Sequence, residues 1–124
     1  MDNEIRPEAQ DEEFEEALNE AKEDSAYAYV HRFKKPFEYQ GKTYDKLTFD
    51  FEKLTGSDSL DVENELAARG VMVMVPTFSG PYLIRIAARA CTEKIGSDAL
   101  EQMRIADYNR IRSKARNFLL ASEQ

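Results

Sequence analysis

His31 is the only histidine of the chain and Cys91 its only cysteine, so nucleophile–base chemistry would have to be built on these two side chains. A histidine can activate a serine or cysteine, and the thiolate is the reactive form of a cysteine. No nucleophile signature accompanies His31, which falls inside a strand-like alternating pattern. Cys91 falls on the apolar stripe of a predicted helix, where a thiol is ordinarily inert filling. Structural packing is the expected role of each. One histidine and one cysteine also exclude the usual zinc sets, which draw on several such ligands.

Paired carboxylates offer little more. Asp50 and Glu52 share one face of a strand as ordinary surface acids, and Asp58 and Asp61 sit where a helix begins, a place that suits capping. No loop has the calcium-binding spacing of an EF-hand, and no glycine-rich run carries the lysine of a phosphate cradle. The expectation is a non-enzymatic protein with no catalytic residue, no cofactor and no metal.

Arg104, Arg110, Arg112, Lys114 and Arg116 cluster near the C-terminus, with only Asp107 opposing them. Arg110, Lys114 and Asn117 share one polar helical face that could follow phosphates. Three readings stay open: a solvated face or one paired with an acidic segment of the same chain, a face for a protein partner, and a nucleic-acid surface. A small DNA-associated regulator is therefore an alternative, although the acidic segment would compete with DNA.

That segment is plain in the charge distribution. Residues 1–26 carry 11 acidic and two basic side chains, whereas residues 27–124 carry 13 and 15, so the net charge of −7 belongs to an N-terminal arm. Segregation of this kind divides the chain into an acidic arm, flexible or a single helix (1–26), and an α+β domain (27–124). Within the arm, Phe14, Leu18 and Ala21 make a narrow apolar stripe at helical spacing, flanked by like charges such as Glu12 and Glu16 that repel at i, i+4. A solvated arm and a partner-binding segment are both open. No window of about 18 apolar residues is present, so no membrane-spanning helix is expected. Met1-Asp2-Asn3-Glu4 lacks the basic start and apolar run of a secretory signal, which places the expected site of action in the cytoplasm.

The elements that must position these residues follow from periodicity. Tyr27, Tyr29, His31 and Phe33 alternate with Ala28, Val30 and Arg32, predicting a half-buried strand that Pro36 interrupts. Gln40-Gly41 predicts a tight two-residue turn, and Leu47, Phe49 and Phe51 alternate again. A small antiparallel meander or hairpin with one aromatic face results, and it needs helices to cover it. Ser57 to Arg69 predicts a helix with Leu60, Val62, Leu66 and Ala67 on a partial stripe, stopped at Gly70. Pro81 opens the clearest helix, with Leu83, Ile86, Ala87, Ala90 and Cys91 on one face. Asp98 with Glu101 has capping-box spacing, and Asp107 is placed to cap a last helix carrying Tyr108, Ile111, Ala115, Phe118 and Leu119. The fold class is α+β: a β-hairpin or meander followed by a bundle of about three to four helices.

Val71-Met72-Val73-Met74-Val75-Pro76-Thr77-Phe78 is the most apolar run. It reads as core or sheet packing, or as a surface for an oligomer or client, since methionine adapts to varied apolar partners.

The stretch HRFKKPFEYQGKTYDKLTFDFEKLTG, His31 to Gly56, resembles the opening of tail assembly chaperones of long-tailed, siphovirus-type bacteriophages. The resemblance lies in the Lys35-Pro36 step, Phe37-Glu38-Tyr39, Gly41-Lys42-Thr43-Tyr44, Leu47-Thr48 and Leu54-Thr55-Gly56-Ser57-Asp58. It continues in the alanine-rich Tyr82 to Ala90 and in Asp107-Tyr108, Ile111 and Phe118-Leu119, and covers roughly residues 27–120. The acidic arm departs from the pattern. The resemblance implies a chaperone that binds the tape measure protein, keeps it soluble and recruits tail tube subunits, without catalysis. It implies many copies, hence a homo-oligomer, in the host cytoplasm and absent from the mature virion; a structural ring protein of the tail is the alternative within that setting. The candidate partner-binding residues are Met72, Met74, Phe78, Tyr82 and Arg85.

Overall fold

In a computed structural model of the chain, residues 26–123 are described, so residues 1–25 of the arm, with the Phe14, Leu18, Ala21 stripe, lie outside the described residues. The alternating aromatic pattern forms two long antiparallel strands, β1 (Ala28–Tyr39) and β2 (Lys42–Asp50). Gln40 at φ 50° and Gly41 at φ 81° make the turn between them, the pair of positive φ values whose twist suits a two-residue hairpin. Tyr29 faces Phe49, His31 faces Leu47 and Phe37 faces Tyr44 across the ladder, gathering the aromatic side chains on one face. The strand does not stop at Pro36. Pairing passes from Arg32 opposite Lys46 to Phe37 opposite Tyr44, so Phe33 to Pro36 bulge out against Asp45 alone. A bulge takes the proline out of the ladder, where its missing N–H costs nothing. Phe33 still stacks on Phe37 at 5.6 Å, so the aromatic face is continuous through the irregularity.

Four α-helices follow: α1 (Gly56–Ala68), α2 (Gly80–Ala90), α3 (Ser97–Glu101) and α4 (Ile105–Ser122). Short 3-10 turns at Phe51–Lys53 and Pro76–Phe78 lead into α1 and α2. The fold is α+β, and α2 is its centre. Tyr82 to Ala87 are all buried, on every side of the helix, because α2 touches the hairpin, α1, α3 and α4. The sequence stripe anticipates one buried face; a central position buries Ile84 and Arg85 as well. On α1, Val62 and Leu66 at i, i+4 face inward, while Leu60 lies on the opposite side and is exposed.

The stop of α1 is a Schellman motif. Val71 N–H donates to the Leu66 carbonyl at 2.8 Å and Gly70 N–H to that of Ala67 at 2.9 Å, with Gly70 at φ 80°. Gly70→Ala is expected to lower stability by about 1 kcal/mol in urea unfolding, because an L side chain is strained there even in open space.

Behind α2, the chain turns back along β2: Thr92 N–H donates to the Thr48 carbonyl and Thr48 N–H to the Glu93 carboxylate, both at 2.8 Å. At the other end of the hairpin, the Tyr39 hydroxyl donates to Asp98 in the first turn of α3.

Candidate functional site

The apolar run divides by residue type. Val71 and Val73 are half-buried against the core, whereas Met72 and Met74 are each 79% exposed and Phe78 is 73% exposed. The segment is an extended lead-in to α2, so successive side chains point to opposite sides. Ser79 closes it by accepting the Tyr82 N–H at 3.2 Å as the cap of α2. The 3-10 turn that carries Phe78 rests on α2 and α4, and the exposed Ile105 opens α4. Met72, Met74, Val75 and Phe78 thus stand in solvent on a strap anchored at both ends.

The other two candidate residues are inside. Tyr82 is 3% exposed and its hydroxyl shares a 2.6 Å hydrogen bond with Ser59 Oγ of α1. Arg85 is 7% exposed; its Nε donates to Glu65 at 2.8 Å, and Nη1 donates to the Pro81 carbonyl at 3.1 Å and lies 3.8 Å from Glu101. Both side chains stitch α2 to its neighbours, and the accessible part of the candidate surface is Met72, Met74 and Phe78, with Val75. Arg89 continues the same seam by donating to Asp58 at 2.8 Å and Asp61 at 3.1 Å. Asp58 also accepts the Thr55 N–H at 2.8 Å as a helix cap, and the arginine, ahead of that N–H, holds its carboxyl below the usual range.

His31 is completely buried and joins two distant elements. Its Nδ1 accepts from the Tyr29 hydroxyl at 2.8 Å and its Nε2–H donates to Asp107 of α4 at 2.7 Å, an assignment that follows from a carboxylate being acceptor-only. Asp107 is the third residue of α4, not its cap; α4 begins earlier, with Arg104 before it. An acid in the first turn still suits the helix dipole, and here its oxygen is drawn to the imidazole instead of to the backbone. With both nitrogens engaged and no exposed surface, the ring presents no lone pair to solvent. Cys91 is buried too, and burial pushes its thiol up to about 11, far from the thiolate range. Periodicity pointed to no link between His31 and Asp107; the one available hint was a lone polar residue on an aromatic face, which demands a partner.

Burial lowers the His31 pKa below 6.5, against the opposing hydrogen bond and charge of Asp107 and with help from Arg110. The unfolded chain then takes up the proton first. Stability from this group is complete above 6.5 and falls as pH drops from 6.5 through the folded-state value. Urea unfolding is expected to show lower stability at pH 5.5 than at pH 7.5, with the difference reduced in His31→Gln. An equal difference in both proteins would assign the effect elsewhere.

The C-terminal basic residues separate as well. Lys114 lies 5.0 Å over the Tyr29 ring, and the Arg112 guanidinium approaches Gly80 so closely that an added Cβ would sit 3.4 Å from its Nη1. Arg104, Arg110 and Arg116 are exposed. Among the described residues, no group of three histidine, cysteine, aspartate or glutamate side chains could hold a metal ion, and no helix is long and apolar enough to cross a membrane. Comparison of the chain with protein-family models, with curated proteins and with solved structures gives no match.

Proposed function

We propose that the chain is a tail assembly chaperone of a long-tailed bacteriophage, acting by binding and without catalysis. One structural observation carries the reading: Met72, Met74, Val75 and Phe78 are exposed together on a strap whose Val71 and Val73 pack against the core. The resemblance from His31 to Leu119 supplies the identity of the client. A tape measure protein is long and helical, and its apolar stripe needs cover until tube subunits replace the chaperone. Exposed methionines suit that task, because an unbranched, polarizable side chain adapts to many helix surfaces without a fixed register. Many weak contacts from many copies hold a long client by avidity and still let it go, which a single tight interface would not.

A second reading, a DNA-associated regulator, draws on the exposed Arg104, Arg110 and Arg116. Strongly salt-dependent duplex binding would favour it.

The test is co-expression with the largest helical tail protein encoded beside this chain, followed by purification on a tag carried by this chain and by light scattering. A soluble complex of defined stoichiometry, where the large protein alone precipitates, supports the chaperone reading. A chain that runs alone while its partner still precipitates overturns it.

A further inference from the structure

A cleft of about 330 Å³ opens between the far end of the hairpin and the turn that follows α2, lined by Tyr39, Lys42, Tyr44, Lys94 and Ile95 among others. Its origin is a strand that stops short. Cys91 bridges Phe49 in the antiparallel sense, Thr92 N–H donates to the Thr48 carbonyl, and Thr48 N–H donates to Glu93. Residues 91–93 therefore lie along the outer edge of β2 like the start of a third strand. The chain then leaves that edge, as Lys94 takes a left-handed turn at φ 61° with its N–H returned to the Cys91 carbonyl at 3.1 Å. Backbone groups alternate along an antiparallel strand, so Lys46, two residues from Thr48, also turns its N–H and C=O to the outer edge. Tyr44 and Glu93 border a second hollow that reaches Lys46, so the two depressions share walls along the edge of β2.

The charge around this edge is mainly positive. Arg32, Lys42, Lys46 and Lys94 border the two hollows, against Asp45 and Glu93. Glu93 is already engaged by the Thr48 N–H and the Thr92 hydroxyl. Among the described residues, no carboxylate pairs with Lys42, Lys46 or Lys94, and all three are exposed. The arginines of α2 differ: Arg85 is matched by Glu65, and Arg89 by Asp58 and Asp61. Lysines on a sheet edge also guard it against pairing with other chains. A guard needs no hollow beside it, and no tyrosine rings lining that hollow.

We propose that this cleft takes an extended acidic segment of another protein, which adds to β2 as a third strand beyond Glu93. Its backbone pairs with Lys46, its carboxylates meet Lys42, Lys46 and Lys94, and the stems of those side chains rest on Tyr39 and Tyr44. In such an addition the main chain supplies affinity and the side chains supply selectivity. Charge complementarity selects the occupant, because a basic strand would be repelled by all three lysines. The inference does not depend on the helical client, whose proposed surface is made by other residues.

A blocked (Glu-Thr)4 peptide titrated into the full isotope-enriched chain tests it by NMR. Backbone shifts are expected to concentrate at Thr43 to Lys46 and Glu93 to Gly96. With the peptide at ten times its Kd, hydrogen exchange at the Lys46 amide should slow about tenfold, because only the unbound fraction exchanges. Lys42→Glu/Lys94→Glu should bind about tenfold more weakly, the loss expected when two surface ion pairs are removed. Both lysines are exposed, so the fold does not depend on them. Undiminished affinity in that variant, unchanged exchange at Lys46, or shifts centred on Val71 to Phe78 overturns the proposal. So does tighter binding of a single-stranded oligothymidylate of equal charge, which would make the surface a nucleic-acid site. Shifts at Thr43 to Lys46 that vary with the concentration of the protein alone would make a second copy the occupant, and overturn it as well.

Discussion

His31→Ala is expected to lower the unfolding free energy by about 3–5 kcal/mol, the largest loss from any single polar residue in the domain. Two costs add. Removing a fully buried imidazole opens a cavity beside Phe33, whose ring lies 4.8 Å from it edge-on. The substitution also takes the imidazole away from the Tyr29 hydroxyl, on a side chain 4% exposed, and from the Asp107 carboxylate, whose side chain is 18% exposed. A buried group left without its partner costs about 1–3 kcal/mol, more when charged, although water reaching Asp107 moderates its share. Urea unfolding at pH 7.5 measures the sum. Asp107→Asn retains an acceptor for the Nε2–H and should cost only about 1 kcal/mol, and the His31/Asp107 double-mutant cycle should show strong coupling. A loss below about 1 kcal/mol in His31→Ala would show that β1 and α4 are held together by apolar packing alone, with the imidazole incidental.

Met72→Asp/Met74→Asp is expected to abolish capture of the helical client while leaving stability within about 0.5 kcal/mol of the parent. Both side chains are 79% exposed, so aspartate there is solvated at no cost to the core, while an apolar client stripe would have to bury two carboxylates. The contrasting variant lies on the same strap. Val71→Asp/Val73→Asp places the charges on half-buried positions against the core, and should destabilise the domain by about 2–4 kcal/mol in urea unfolding. Co-purification with the client reads the first variant and unfolding reads the second. Undiminished capture by Met72→Asp/Met74→Asp would remove the strap from the binding surface, even if the chaperone reading survived by another face. Unfolding of that variant would mean that the methionines contribute to the core despite their exposure.

The local features were legible because each is set by a few consecutive residues. A two-residue turn needs positive φ, and Gln40-Gly41 supplies it. Gly70 ends α1 because only glycine takes the left-handed cap without strain, and Pro81 sits in the first turn of α2, where its missing N–H is not needed. The aromatic alternation specified a sheet with one buried face, and the α+β class followed from that face needing cover. Pro36 misled in one respect. Its chemistry forbids a place in the ladder, but a bulge satisfies that demand as well as a strand end does.

The candidate site was legible only in part, for reasons that lie in geometry. Valine and methionine are both apolar, so the composition of the Val71–Phe78 run did not separate the side chains anchored in the core from those in solvent. Extended backbone beside an existing core made that division. Tyr82 and Arg85 read as surface because one turn of α2 says nothing of what surrounds it; burial between α1 and α3 made them internal, with Ser59 and Glu65 as partners. Segregated charge, element types, turns and caps, and the side chains that share a face are all set by short runs of residues. Which faces meet was settled by the packing of the whole domain. His31 and Asp107 stand 76 residues apart and are joined at 2.7 Å, because periodicity orders side chains along one element whereas pairing between elements depends on how the whole core closes.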